Sequence, residues 1–253
     1  MMLPNFLCIG APKSGTTSLY DVLKQHKDVF LPKFKEPHFF DSNKSWNKGV
    51  AWYQASYYSK ASHQCVGDFT PTYLSNSLAP GRIQKVLGNQ VKFVVILRNP
   101  IDRAYSHYQM EVSSGNEKLS FDKAIDEEKN RISLDMEKMN ADENFYSVNF
   151  YRKSYLTRGI YVDQIKRWFK YFPRNQFLII QSEDLYSDTS KIYSDVLNFL
   201  NLPKFELDSF KAHRMRKYSE ISTETRKKLV DYFKPYNKQL YELLNRNFNW
   251  ENE

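Results

Sequence analysis

Cysteine is nearly absent from this chain, which holds two, Cys8 and Cys65. Two thiols make neither a disulfide framework nor a metal site. Cys8, inside an apolar run, reads as a small buried hydrophobe. No apolar stretch approaches the ~18 residues that a membrane span needs. Met1 to Phe6 carry no basic flank and no long apolar run, so no secretory signal is expected. These absences predict a soluble, cytoplasmic protein with no membrane partner. Repeats, low-complexity tracts and convincing linkers are missing too, so residues 1–253 are expected to form a single domain. Acids are fewer than bases, 29 against 37, and the net charge of +8 favours an anionic ligand. That charge also suits nucleic acid, but the basic residues are scattered and no nucleic-acid motif occurs.

What is present begins with aromatics: 18 Tyr and 18 Phe, within a hydrophobic content of 41% that is enough for a core. The most informative stretch is Phe6-Leu7-Cys8-Ile9-Gly10-Ala11-Pro12-Lys13-Ser14-Gly15-Thr16-Thr17, followed by Ser18 and a helical pattern in Leu19, Tyr20 and Leu23. A strand, a tight glycine-containing loop and a helix start together cradle a phosphate, because loop N–H groups and the helix dipole converge on the anion. Gly10 and Gly15 are expected to permit the close approach and the unusual dihedrals. The pattern is near Walker A but fails at its diagnostic position. Thr16, not lysine, follows Gly15, and the lysine lies inside the loop at Lys13. A small-molecule kinase on this type of fold would need the Walker A lysine.

Farther on, Val29 to Phe40 contain two prolines and read as extended chain, in which the i, i+2 spacing puts Glu36 and His38 on one side. Residues 46–60 and 79–89 read as helical, the latter with a Gly88-Asn89 cap. Val66 to Tyr73 read as a short extended piece with a turn, ordinary connecting structure. Val91 to Leu97 form the clearest strand, suited to the centre of a parallel sheet. Arg98 stands at its carboxyl end, where open α/β sheets bind ligands. Pro100 opens a helix that carries Ser106. Residues 113–145 have little apolar periodicity, with nine acids against five bases from Glu117 to Glu143, and are expected to be an irregular insertion, a lid or an acceptor-binding segment. Tyr161, Ile165, Trp168, Phe169 and Phe172 make a helical stripe, Gln176 to Gln181 a strand, and Asp188 an N-cap. His213 to Lys217 form a basic loop suited to clamp a ligand, and residues 223–245 a helix interrupted at Pro235. Strands alternating with helices predict an α/β domain with a parallel sheet.

Three segments in this order carry a family resemblance: Pro12 to Thr17, Lys35-Glu36-Pro37-His38-Phe39-Phe40, and Leu97-Arg98-Asn99-Pro100 with Ser106 eight residues after Arg98. The chain resembles the PAPS-dependent sulfotransferases, especially the heparan sulfate N- and 3-O-sulfotransferase branch and its bacterial relatives. The resemblance implies a three-layer α/β/α fold with a central parallel sheet, related to P-loop nucleotide kinases. It implies 3′-phosphoadenosine 5′-phosphosulfate (PAPS) as donor and no metal. By the same resemblance Lys13, Ser14, Gly15, Thr16, Thr17 and Ser18 hold the 5′-phosphosulfate, Arg98 and Ser106 hold the 3′-phosphate, and Arg214 and Arg216 belong to a loop that closes over the donor. Glu36 matches the general base, with His38 beside it. Pro37, Phe39 and Phe40 are expected to desolvate Glu36 and raise its pKa toward neutrality. The chain departs from the glycan enzymes at Phe69, where they carry a lysine, at Arg214-Met215 in the late loop, and in lacking their disulfide. The expected acceptor is therefore a small neutral or cationic metabolite, with a carbohydrate second.

Overall fold

The structure is a computed structural model that describes residues 2–142, 145–206 and 219–251. In chain order the elements are β1 (Phe6–Gly10), α1 (Thr16–Leu23), β2 (Val29–Phe30), α2 (Asn43–Trp46), α3 (Gly49–Tyr57), β3 (Cys65–Phe69), a 3-10 turn (Pro71–Ser75), α4 (Ala79–Leu87) and β4 (Lys92–Leu97). There follow α5 (Pro100–Ser113), α6 (Phe121–Asp126), α7 (Glu128–Ala141), α8 (Val148–Lys153), α9 (Tyr161–Phe169), β5 (Phe177–Gln181), α10 (Ser182–Ser187), α11 (Thr189–Leu200) and α12 (Thr223–Leu244). The described residues fall into two compact units, one within Met1–Leu97 and Lys166–Arg214, the other within Arg98–Ile165 and Met215–Glu253.

The first unit is built on a five-stranded sheet in the order β2-β3-β1-β4-β5, with every pairing parallel. Strand alternation sends Cys8, Val94 and Ile96 to one face, where Leu19 and Leu23 of α1 and Val196 and Leu197 of α11 pack against them. Phe93 points to the other face and meets Trp168 with ring centroids 5.2 Å apart. Helices on both faces give the three-layer α/β/α arrangement, and a sheet covered on both sides explains the nearly unbroken apolar runs of β1, β4 and β5.

β3 is a full sheet member and not connecting chain. Its sequence hid this because Asp68 sits in the middle of it, fully buried. Three hydroxyls satisfy that carboxylate: Tyr53 and Tyr73 donate to Oδ2 at 2.6 and 3.1 Å, and Thr70 to Oδ1 at 2.7 Å. Burial pushes the Asp68 carboxyl up to about 6, with the three hydroxyl donors opposing the rise.

In the second unit, α5 is capped by Asn99, whose side chain accepts from the Ile101 N–H at 3.0 Å. The stretch expected to be irregular is helical through α6 and α7. Its anchors are carboxylates as well as apolar groups. Glu117 is buried and pairs with Arg131, Lys153 and Tyr155, and Glu128 accepts from the N–H groups of Leu156 and Thr157. Phe121, Ala124 and Ile125 pack with Leu229 and Phe233 of α12. That helix continues through Pro235 without interruption. The proline removes one backbone bond, while burial of Phe233, Asn237 and Leu240 around it holds the helix together.

Candidate active site

The strand–loop–helix order is as expected: the chain leaves β1 at Gly10 and α1 begins at Thr16. Gly15 takes a left-handed φ of 97°, and Lys13, with a side chain, is also left-handed at 71°. The two glycines serve different ends. A Cβ on Gly10 would lie 2.5 Å from Leu74 Cβ, so this glycine admits the 3-10 turn against the loop. Gly15 supplies the dihedral. Ser14 Oγ is fully buried and has no hydrogen-bond partner among the described residues. A buried hydroxyl left unmatched at a ring of loop N–H groups fits an anion seated there.

The segment carrying Glu36 and His38 reaches the same side of both residues by a different route from an extended strand. Glu36 and His38 have φ values of 61° and 49°, flanking Pro37. Left-handed non-glycine residues cost about 1–3 kcal/mol each and concentrate at functional sites. The loop is held in this form at two points. The Glu36 N–H donates to the Phe69 carbonyl at 3.2 Å. The Phe39 and Phe40 N–H groups donate to the Tyr73 hydroxyl, itself bound to Asp68.

A line of polar contacts then runs from α1 to the 3-10 turn. Lys35 Nζ donates to Thr17 Oγ1 at 2.7 Å and to Thr16 Oγ1 at 3.4 Å. It stands 3.7 Å from Glu36 Oε1. Glu36 Oε2 faces His38 Nε2 at 3.4 Å. On its other side, His38 Nδ1 meets both Asp41 oxygens, at 3.2 and 3.1 Å. Thr72 donates to Asp41 Oδ2. Burial alone would lower the His38 pKa, but the hydrogen bonds to Asp41 and Glu36 outweigh it and push the ring up to about 10. His38 is an imidazolium between two carboxylates.

This arrangement overturns the expectation for Glu36. Burial does raise its pKa, but the His38 hydrogen bond and the Lys35 charge prevail and hold the carboxyl below its ordinary value. Phe39 and Phe40 do not enclose it. Both rings turn into the core, Phe39 stacking on Tyr53 at 4.2 Å and Phe40 lying edge-on to Phe39 at 5.0 Å. Because the His38 pKa in the folded chain lies above the unfolded value, its contribution to stability is complete below pH 6.5 and disappears as pH rises through about 10. The difference in melting temperature between the wild-type chain and His38→Gln should therefore be largest below pH 6.5 and vanish above about 10. A difference that stays constant across that range would show His38 to be uncharged.

In the second unit, Arg98 directly precedes the Asn99 cap, and its carbonyl accepts from the Tyr161 hydroxyl at 2.9 Å. Ser106 is buried on α5. Arg214 and Arg216 lie outside the described residues. Among the described residues, no group of three or more His, Cys, Asp or Glu is arranged to hold a metal ion.

The family model for the sulfotransferase domain matches residues 3–242. The chain belongs to the sulfotransferase family. The membrane-associated sulfotransferase kil1 of Dictyostelium discoideum is 26% identical, over 100% of this chain and 67% of its own length. Heparan sulfate glucosamine 3-O-sulfotransferase 5 of Homo sapiens is 29% identical, over 98% of this chain and 74% of its own length. Among solved structures, a sulfotransferase from Alicyclobacillus acidocaldarius superposes over 100% of both chains, with a TM-score of 0.81 and 27% identity. The sulfotransferase described here has no helix, among the described residues, long and apolar enough to cross a membrane.

Three polar residues of this cluster escaped the sequence. Lys35 drew no role of its own, and its hold on Thr16 and Thr17 crosses 19 and 18 positions of chain. Asp41 follows a pair of core phenylalanines and carries no motif of its own. Thr72 lies 31 residues from Asp41. Only the recurrence of hydroxyls in Thr70, Thr72 and Tyr73 signalled that this segment does more than connect.

Proposed function

We propose that this sulfotransferase moves a sulfuryl group from PAPS to a hydroxyl or amine of a small neutral or cationic acceptor, with the whole chain acting as one sulfotransferase domain. The observation that carries the reading is the continuous contact from phosphate loop to base: Thr17, Lys35, Glu36, His38 and Asp41. PAPS supplies an activated sulfuryl group on a single 5′-phosphate. Lys13, the loop N–H groups and Ser14 hold that phosphate and stabilise the charge it gains on leaving. Arg98 and Ser106, and Arg214 and Arg216 by family resemblance, serve the 3′-phosphate and the closing loop. Glu36 takes the acceptor's proton as the acceptor atom bonds to sulfur and the sulfur–oxygen bond to the 5′-phosphate breaks, leaving its electron pair on phosphate.

A carboxylate held below its ordinary pKa is a weak base, yet it suffices. Sulfuryl transfer resembles phosphoryl transfer in its loose transition state, where little negative charge must build on the nucleophile before bond breaking. His38, already protonated, is no competing base. It keeps the Glu36 carboxylate oriented and ionised. A small acceptor suits the cations beside Glu36, because Lys35 and His38 both face carboxylates and do not form an open basic surface for a polyanion.

The reading is tested by incubating the chain with labelled PAPS and three acceptor sets: small alcohols, small amines and heparan-type polymers. Transfer to the small acceptors is expected, and transfer to the polymer alone would overturn the acceptor assignment. Arg98→Ala should weaken binding of adenosine 3′,5′-bisphosphate by about 10–100-fold, the worth of one charge-assisted contact. An unchanged dissociation constant in calorimetry would remove Arg98 from the 3′-phosphate site.

A further inference from the structure

We propose that Lys35 is a second catalytic cation, which binds the equatorial oxygens of the transferring sulfuryl group between the phosphate loop and Glu36. The inference rests on the PAPS reading above and adds a residue to it.

Its position is the first ground. The ammonium is tied to Thr16 and Thr17, the first two residues of α1. A cation is electrostatically out of place there, because the amino end of a helix already carries partial positive charge and favours anions. Its side chain is 18% exposed, and burial lowers the lysine pKa, with the Glu36 charge opposing that shift. The site thus gathers a half-desolvated ammonium, a helix amino terminus and the orphan hydroxyl of Ser14. All three are relieved by the same event, the arrival of an anion.

Its reach is the second ground. Glu36 does not saturate the ammonium, because 3.7 Å exceeds the 2.7–2.9 Å of a charge-assisted hydrogen bond. Lys35 stands between the residue that accepts the proton and the loop that holds the leaving phosphate. An in-line transfer between those two ends passes its sulfur through that interval, with three oxygens spread around the axis. Lys13 serves the leaving end of the axis. Lys35 serves the middle, and it keeps its proton throughout, so the balance of the step is unchanged.

The role predicts a split that a structural lysine would not produce. Adenosine 3′,5′-bisphosphate lacks the sulfuryl group, so Lys35→Met in the full chain should bind it within about two-fold of wild type. Turnover with PAPS should fall about 100-fold or more, the usual worth of one preorganised contact to developing charge. Turnover within a few-fold of wild type would overturn the proposal, and so would a loss of bisphosphate affinity equal to the loss of turnover. Failure of the parent reading looks different: the wild-type chain would neither bind the bisphosphate nor transfer from PAPS.

Lys35→Cys followed by aminoethylation gives a second route, restoring an ammonium on a side chain of nearly the same length. Cys8 and Cys65 are buried, with burial pushing each thiol up to about 12, so alkylation is directed to position 35. Aminoethylation should recover most of the lost turnover, and no recovery in the folded, modified chain would overturn the proposal.

Discussion

Glu36→Gln should lower turnover by about 10²–10⁴-fold, the range for loss of a general base, while leaving affinity for adenosine 3′,5′-bisphosphate within a few-fold of wild type. Glutamine keeps the shape of the side chain but loses the charge that Lys35 and His38 share. The variant therefore tests the proton acceptor and the cluster together, and the two effects separate by pH. His38 owes its value of about 10 partly to Glu36, with Asp41 contributing the other hydrogen bond. In Glu36→Gln the ring should titrate at lower pH, visible by NMR of the imidazole. Turnover that survives the substitution would clear Glu36 of its role whatever the ring does. Lost turnover with an unmoved imidazole pKa would keep the base and dissolve the cluster.

Asp68→Ala should cost about 3 kcal/mol, about 1 kcal/mol for each of three buried hydroxyls that lose their acceptor. For a chain of this size that corresponds to a fall in melting temperature of roughly 6–12 °C. The expected damage is not confined to stability. Tyr73 uses one hydroxyl both to bind Asp68 and to receive the N–H groups of Phe39 and Phe40. Removing the carboxylate frees that hydroxyl to turn, and the left-handed Glu36 and His38 lose one of their two restraints. Asp68→Asn retains an oxygen for Thr70 and should cost about 1 kcal/mol. Equal melting temperatures for wild type and Asp68→Ala, by calorimetry, would refute the hub.

The sequence was most readable where apolar periodicity and local chemistry coincide. β1 with its loop, β4 and β5 show as apolar runs because the sheet is covered on both faces. Asn99 and Asp188 cap helices by contacts two and three residues away, a range that sequence inspection covers. Legibility failed wherever burial depends on a distant partner. Asp68 disguised β3 because the tyrosine that shares its oxygen, Tyr53, is 15 residues off. α6 and α7 are hidden in the sequence because the buried groups that anchor them include two carboxylates, Glu117 ahead of α6 and Glu128 at the start of α7. The Glu36 pKa went astray for a related reason. Neighbours in sequence suggested desolvation, whereas Phe39 and Phe40 turn away and two cations converge. The uninterrupted α12 shows the limit of propensity, since packing on Phe233 and Leu240 overrides a proline's preference to end a helix.

The strand order separates two kinds of change. β1, which leads into the glycine-containing loop, has β3 on one side and β4 on the other. On the proposed assignment the acceptor-side chemistry hangs from the β3 side alone, where Glu36 is pinned to Phe69, Asp41 to Thr72, and Phe39 to Tyr73. These pins join two separate segments, 36–41 and 69–73, into one mechanical unit. On that assignment, a substitution on one side of the seam is expected to be felt by its hydrogen-bond partner on the other, so retuning the acceptor side takes paired changes.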